Sequence, residues 1–305
     1  EMAPLTTAAY DAHRNLISAG GIEAGLIRQE GYLHVWREAD GFEQTALQRA
    51  LMAEHGIASE VLDGDGIAAL EPGLARDFRY GFHVPEGGFA VEPVALTQAY
   101  AAAFEARGGS IRRERVRGFE MAGSGPRSLV TDSGKHPLDL LLLATGAWSR
   151  PLLRQLGLDA PLESERGYHL SLRQGEGVAL SRPVVVGKPR YTLAPMRDGL
   201  RLTTGAEFAG LDAPPNYRRI HRLVADANRS LPGLGETVER EWMGHRPVLW
   251  DSKPAIGRSS HHDTVFYAFG HGHLGLTLGA VTARLIAELI GGQEPPIAPF
   301  SLARF

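Results

Sequence analysis

Six residues near the C-terminus, Gly270-His271-Gly272-His273-Leu274-Gly275, concentrate more chemical potential than any other stretch of the chain. They match the pattern G-x-G-x-x-G and stand between a strand-like run, Thr264 to Phe269, and an apolar helical segment that reaches about Ile290. A dinucleotide fingerprint requires more than the glycines. It needs a second strand after the helix, ending in an acidic residue that holds the ribose. Here the helix meets Gly291-Gly292 and a Pro-rich tail, which leaves no room for a βαβ unit. The physical content survives. A glycine-rich turn on a helix N-terminus exposes backbone N–H groups at the positive end of the helix dipole, a setting that stabilises an anionic group. The plain alternative is a tight strand-to-helix turn, although three glycines and two histidines in six residues are dense for a connector.

Other chemistries find less support. The chain has no cysteine, which excludes disulfides, thiolate metal sites, iron–sulfur clusters and a cysteine nucleophile. His261-His262 precedes Asp263 in a turn-like stretch, and no helical i, i+4 histidine pair accompanies it, so a metal site is not expected. No Ser/His/Asp set is apparent. A net charge of -3 with interspersed signs gives no footprint for nucleic acid. The longest apolar stretches, Leu140 to Ala144 and Leu276 to Ile290, fall short of the roughly 18 uninterrupted apolar residues of a membrane span. No signal segment opens the chain, so the cytoplasm is the expected compartment, with a peripheral place at the inner membrane as the alternative.

The elements that must hold these residues follow from periodicity. Helical spacing runs from Thr6 to Ala19, from Gln44 to His55, from Val94 to Arg107 and from Pro215 to Ser230. Asp63 is placed to cap a short helix, Gly66 to Leu70. Strand signals fall at Tyr32 to Trp36, Phe78 to Val84, Ile111 to Val116, Ser128 to Thr131, Val184 to Val186, Tyr191 to Met196, Leu200 to Thr204 and Val238 to Val248. Leu138 to Ala144 is continuously apolar, the mark of a strand buried on both faces, and it leads into the turn Thr145-Gly146-Ala147-Trp148-Ser149. From Leu162 to Arg173 alternation puts Tyr168, Leu170 and Leu172 on one face and His169, Ser171 and Arg173 on the other. At 305 residues two lobes are expected, and the pattern makes them alternate along the chain. The fold class is α/β (α+β).

Four blocks then resemble a known family, in the family's order: Leu141 to Ser149; Tyr191-Thr192-Leu193-Ala194-Pro195; Trp242 to Pro247 with Lys253 to Gly257; and Phe269 to Leu276. The chain is similar to the FAD-dependent D-amino-acid oxidase and dehydrogenase superfamily, with glycine oxidase and sarcosine oxidase among its members. The resemblance implies an incomplete FAD-binding Rossmann-like domain interleaved with an antiparallel-sheet substrate domain. Residues 1–88 and 159–247 would build the substrate domain, and 89–158 and 248–305 the FAD domain. In this family the ADP half of FAD sits on an N-terminal βαβ unit, and nothing in residues 1–90 resembles one. The chain opens at Glu1, so a missing N-terminal segment, or a partner subunit supplying it, is expected.

The resemblance also implies roles. Arg246 would grip the substrate carboxylate, a task suited to the two parallel donors of a guanidinium, whereas its ordinary fate is a surface ion pair. Tyr191 and Tyr168 would contact substrate, with Tyr168 preferred over His169, and His273 would lie near the flavin ring. Val116 would pass the adenine side. Ala144, Thr145, Gly146 and Trp148 would line the FAD cleft, and Gly270, His271, Gly272, His273, Leu274, Gly275, Leu276 and Thr277 would cover the pyrimidine edge, where the helix terminus favours charge on a reduced ring. The implied reaction is hydride transfer from the Cα of a small D-amino or imino acid to flavin N5, a chemistry that needs orientation more than a dedicated base. The alternatives are a glycine- or sarcosine-type oxidase using oxygen directly, and a non-catalytic fragment or subunit of a flavoenzyme complex.

Overall fold

The computed structural model describes residues 1–123 and 125–305. Its largest element is a mixed sheet of eight strands. These are β2 (Tyr32–Trp36), β3 (Glu60–Asp63), β4 (Tyr80–Val84), β10 (Leu162–Leu172), β11 (Val184–Val186), β12 (Tyr191–Met196), β13 (Gly199–Phe208) and β14 (Val238–Leu249). Their spatial order is β14-β10-β13-β12-β11-β2-β4-β3, antiparallel throughout except where β11 runs parallel to β2. A second sheet joins β15 (Ala255–Arg258), β16 (Val265–Phe269) and β9 (Leu141–Leu143), with β9 parallel to β16. Two smaller sheets hold β6 (Val116–Ala122), β7 (Gly125–Thr131) and β8 (Lys135–Pro137), and β1 (Ile27–Arg28) with β5 (Phe89–Ala90).

Alternation along the long strands decides which face of the large sheet is core. Leu170 on β10, Leu202 on β13, Leu193 on β12 and Val184 and Val186 on β11 are fully buried, and they pack with Leu74, Phe78, Ile220, Val224 and Leu231. Each fully buried Leu or Val contributes about 1.5–3 kcal/mol relative to leaving it in water. The predicted helix Pro215 to Ser230 forms as two pieces, Arg218–His221 and Val224–Ser230, which supply the covering layer. On the same face Arg166 is entirely buried. It donates to the carbonyls of Ala209, Gly210, Ala213 and Pro214 and lies 3.6 Å from Glu207, so its charge is met by carbonyls of the loop after β13.

In the second sheet the apolar helix Gly275–Ile290 buries Leu278, Val281, Leu285 and Ile286 against Leu5 and Ala9 of helix Ala3–Gly20 and against Ile256. The segment Gly272–Ile290 has a mean hydropathy of 1.3 and is long and apolar enough to cross a membrane by length and composition alone. Two expectations change. Residues 111–115 form no strand, and pairing begins at Val116. β9 is not buried on both faces: Leu141 and Leu143 point inward while Leu142 is 44% exposed, because the described residues cover only one of its faces. Asp63 does cap its helix, its Oδ1 accepting from Gly66 N at 2.9 Å.

Candidate active site

Because β9 and β16 are adjacent and parallel, the turns that follow them leave the same edge of the sheet. One is Thr145–Ser149, where Ser149 Oγ donates to Gly146 O at 2.8 Å and lies 3.0 Å from Thr145 Oγ1. The other is Gly270–Gly275. Gly270 has φ +80°, and a Cβ there would fall 2.6 Å from Leu249 Cδ1, so both its conformation and its space require glycine. Both turns pack on the end of β14, and His271 bridges Val248 of that strand. The helix entered at Gly275 has neither a side-chain N-cap nor an acidic residue in its first turn, so its first N–H groups are not capped by a side chain among the described residues. The carboxyl end of a parallel strand pair, beside a helix N-terminus, is where an α/β sheet places ligands.

A cleft of about 470 Å³ runs along this turn, lined by Gly270–Leu274, Glu163, Glu165, Phe208 and Trp250 among others. Behind it Arg246 of β14 stands directly across from Glu165 of β10. Its Nη1 donates to Glu165 Oε1 at 2.9 Å and to the Gly205 carbonyl at 2.8 Å. The same Oε1 lies 2.7 Å from His273 Nε2, an ion pair when the imidazole is protonated. The guanidinium rests on Gly167, where a Cβ would collide with Nη2 and Cζ. Opposite Gly167, Gly244 carries the indole of Trp242, which stacks on His169 at 4.9 Å between centroids. Guanidinium and indole therefore lie side by side on a pair of facing glycines.

Among the residues singled out in the sequence, the structure brings together Arg246, His273 and the Gly270–Leu274 loop. His271 turns inward: its Nε2 lies 3.0 Å from Thr282 Oγ1, and burial pushes its pKa down to about 4, so it is neutral at pH 7. Leu276 contributes its carbonyl, which His13 Nε2 approaches at 2.8 Å, and Thr277 lies exposed in the first turn of the helix. Ala144 follows β9 into the first turn. Trp148, 54% exposed, sits edge-on to His245 at 5.3 Å, on the face of β14 opposite Arg246. Val116 starts β6 and packs on the cluster around Leu143 and Leu153.

The two tyrosines lie on the other face of the sheet. Tyr191 is 2% exposed, and its hydroxyl donates to Asp226 Oδ2 at 2.8 Å and meets Ser230 Oγ at 2.7 Å beneath helix Val224–Ser230. Burial is the main reason its hydroxyl is held well above the ordinary range for tyrosine. Tyr168 is likewise buried, bonded to Glu207 and accepting from Asn216 N at 3.2 Å. Both occupy the core face of the sheet, whereas Arg246 occupies the other face, so neither meets it. It is His169, passed over in favour of Tyr168, that shares the face of Arg246. Its pKa is pushed down to about 4, first by burial and then by Arg201 and Arg240. Glu165 was not singled out in the sequence, and Gly167 was given no role there.

Residues 1–289 match the profile of FAD dependent oxidoreductases, the DAO family. The chain belongs to that family. A D-amino-acid oxidase from Bradyrhizobium diazoefficiens is 33% identical over 299 residues, covering 96% of this chain and 70% of its own length. A D-amino acid dehydrogenase from Rhizobium rhizogenes is 30% identical over 285 residues, covering 91% and 68%. Among solved structures, glycine oxidase from Bacillus cereus superposes with a TM-score of 0.85 at 22% identity, over 99% of this chain and 85% of that one. L-proline dehydrogenase from P. horikoshii gives 0.86 at 19% identity, over 99% and 82%. The fold is therefore the one shared with these flavoenzymes. As a DAO-family oxidoreductase the protein depends on FAD, and the residues present fit its ring end. The glycine turn leaves no side chains at Gly270, Gly272 or Gly275, and the helix terminus, without a side-chain cap, would present its N–H groups to the ring.

Proposed function

We propose that this protein oxidises a small amino or imino acid at its Cα, with D-configured substrates favoured, and that Arg246 holds the substrate carboxylate. The observation that carries the reading is the position of Arg246. A guanidinium held flat on Gly167, 19% exposed, lies one ion-paired residue away from the loop suited to the flavin ring. Bidentate capture of a carboxylate by a preoriented guanidinium fixes the substrate in one rotational setting. The Gly270–Thr277 loop would hold the ring end of FAD, which would supply the two-electron acceptor for oxidation at Cα. The chain's own residues bind and orient. Phe208 and Trp250 line the cleft, and His273 ties the loop to the sheet through Glu165. The preference for D-amino acids is supported by the names of the two relatives above. The likeness to glycine oxidase keeps direct use of oxygen as a second reading.

Replacing Arg246 by Ala in the FAD-loaded protein tests this. The expected result is a KM for amino acids raised about tenfold or more, as for a lost charge-assisted pair of hydrogen bonds, with flavin content unchanged. An unchanged KM would refute the assignment.

A further inference from the structure

Glu165 has a partner problem that the carboxylate reading alone does not resolve. Arg246 is the proposed anion clamp, yet one of its terminal nitrogens is already engaged by a carboxylate and a backbone carbonyl. A guanidinium paired in this way is close to neutral as seen by a ligand. A simple carboxylate entering beside it would meet the repulsion of Glu165 together with the attraction of Arg246. Such an arrangement is poor for a monoanion and well suited to a zwitterion.

The bonds of Glu165 favour the same conclusion. Its contacts with Arg246 and His273 both fall on Oε1, while Oε2 accepts from no described residue. The side chain is 13% exposed and lines the cleft. Oε2 is not among the buried polar atoms that lack a partner, so it faces the cleft with its lone pairs open to an N–H group of a ligand. Geometry fixes where that donor must be: beside the guanidinium on Gly167, within one carboxylate's width of it.

We propose that Glu165 is the specificity-determining residue that accepts the amino group of the substrate at Oε2, making Arg246 and Glu165 together a receptor for α-amino carboxylates and against plain carboxylates. This rests on the carboxylate reading of Arg246. His273 is the positioning residue that holds Oε1, and so leaves Oε2 as the free acceptor. Primary and secondary amines both satisfy the site, since each presents an N–H.

The test uses a ligand pair that cannot turn over: 2-aminoisobutyrate, a zwitterion without a Cα hydrogen, and isobutyrate, the same skeleton without nitrogen. Binding to the FAD-loaded protein is followed by calorimetry. The wild type is expected to bind 2-aminoisobutyrate at least about tenfold more tightly than isobutyrate, the range of one charge-assisted hydrogen bond. Glu165→Gln is expected to abolish that preference, weakening the zwitterion and tightening the monoanion, while Glu165→Asp retains part of it. Thermal melting verifies that each variant is folded. A preference that persists unchanged in Glu165→Gln overturns the proposal. Arg246→Ala separates the two layers of the argument. Loss of both ligands upholds the clamp, whereas wild-type binding of both would refute the clamp and the proposal with it.

Discussion

Substituting Gly167 by Ala is the sharpest probe of how the site is built, because it adds one methyl group and touches no charge. A Cβ at this position would lie 2.6 Å from Arg246 Nε and closer still to Nη2 and Cζ, so the guanidinium must leave its seat. The backbone at 167 lies outside the left-handed region, so alanine introduces no backbone strain. The group that yields is the far end of a flexible side chain. Yielding breaks the Nη1 bonds to Glu165 and to the Gly205 carbonyl. Bonds to charged groups are worth about 1.5–3 kcal/mol each, and a partly exposed guanidinium recovers much of that from water, so the stability loss should stay near 1–2 kcal/mol. Substrate binding recovers nothing, because the clamp is then misplaced by more than an ångström. We expect kcat/KM to fall about 10- to 100-fold with most of the change in KM. Steady-state kinetics on the FAD-loaded variant, beside a melting curve, reads both quantities. A kcat/KM within twofold of wild type in a folded Gly167→Ala protein would refute the proposed seating of Arg246. Gly244→Ala, which strikes the Trp242 indole 2.7 Å from Cζ2, is the neighbouring control.

Two further outcomes are expected. Tyr191→Phe should lower stability by about 1–2 kcal/mol through its lost bonds to Asp226 and Ser230 while leaving KM unchanged, and a KM shift without destabilisation would return Tyr191 to the site. His34, His169 and His271 are each held at about 4 in the fold, chiefly by burial, against 6.5 when unfolded. The unfolded chain therefore binds more protons between these values, and stability should fall as pH drops from 6.5 toward 4. His34 stacks on Phe82 at 4.5 Å, so His34→Phe should preserve packing and flatten that slope in urea melts between pH 7 and pH 5. An unaltered slope would contradict the assignment.

Much of this architecture is legible in the residues. Period-two alternation finds β2, β10 and β14 nearly to their ends, and Gly291 closes the last helix where expected. Parity also marks the core face of β10: Tyr168 shares it with Leu170 and Leu172, a signal that points Tyr168 inward and His169 toward Arg246. The pairing of Glu165 with Arg246 was out of reach. It depends on the register between strands separated by some 80 positions, and no local pattern encodes that. The seat on Gly167 is hidden for the same reason, since the intruding side chain comes from the neighbouring strand. The exposed face of β9 depends on which elements pack over it, which composition does not specify.

On the proposed reading, the carboxylate clamp and the flavin-ring loop belong to one site. A crystal structure of the FAD-loaded protein with 2-aminoisobutyrate tests it most directly. The expected result is the ligand carboxylate on the Arg246 guanidinium, its nitrogen at Glu165 Oε2, and the isoalloxazine against the Gly270–Thr277 loop. A ring bound away from that loop, or a carboxylate held by another residue, would contradict it.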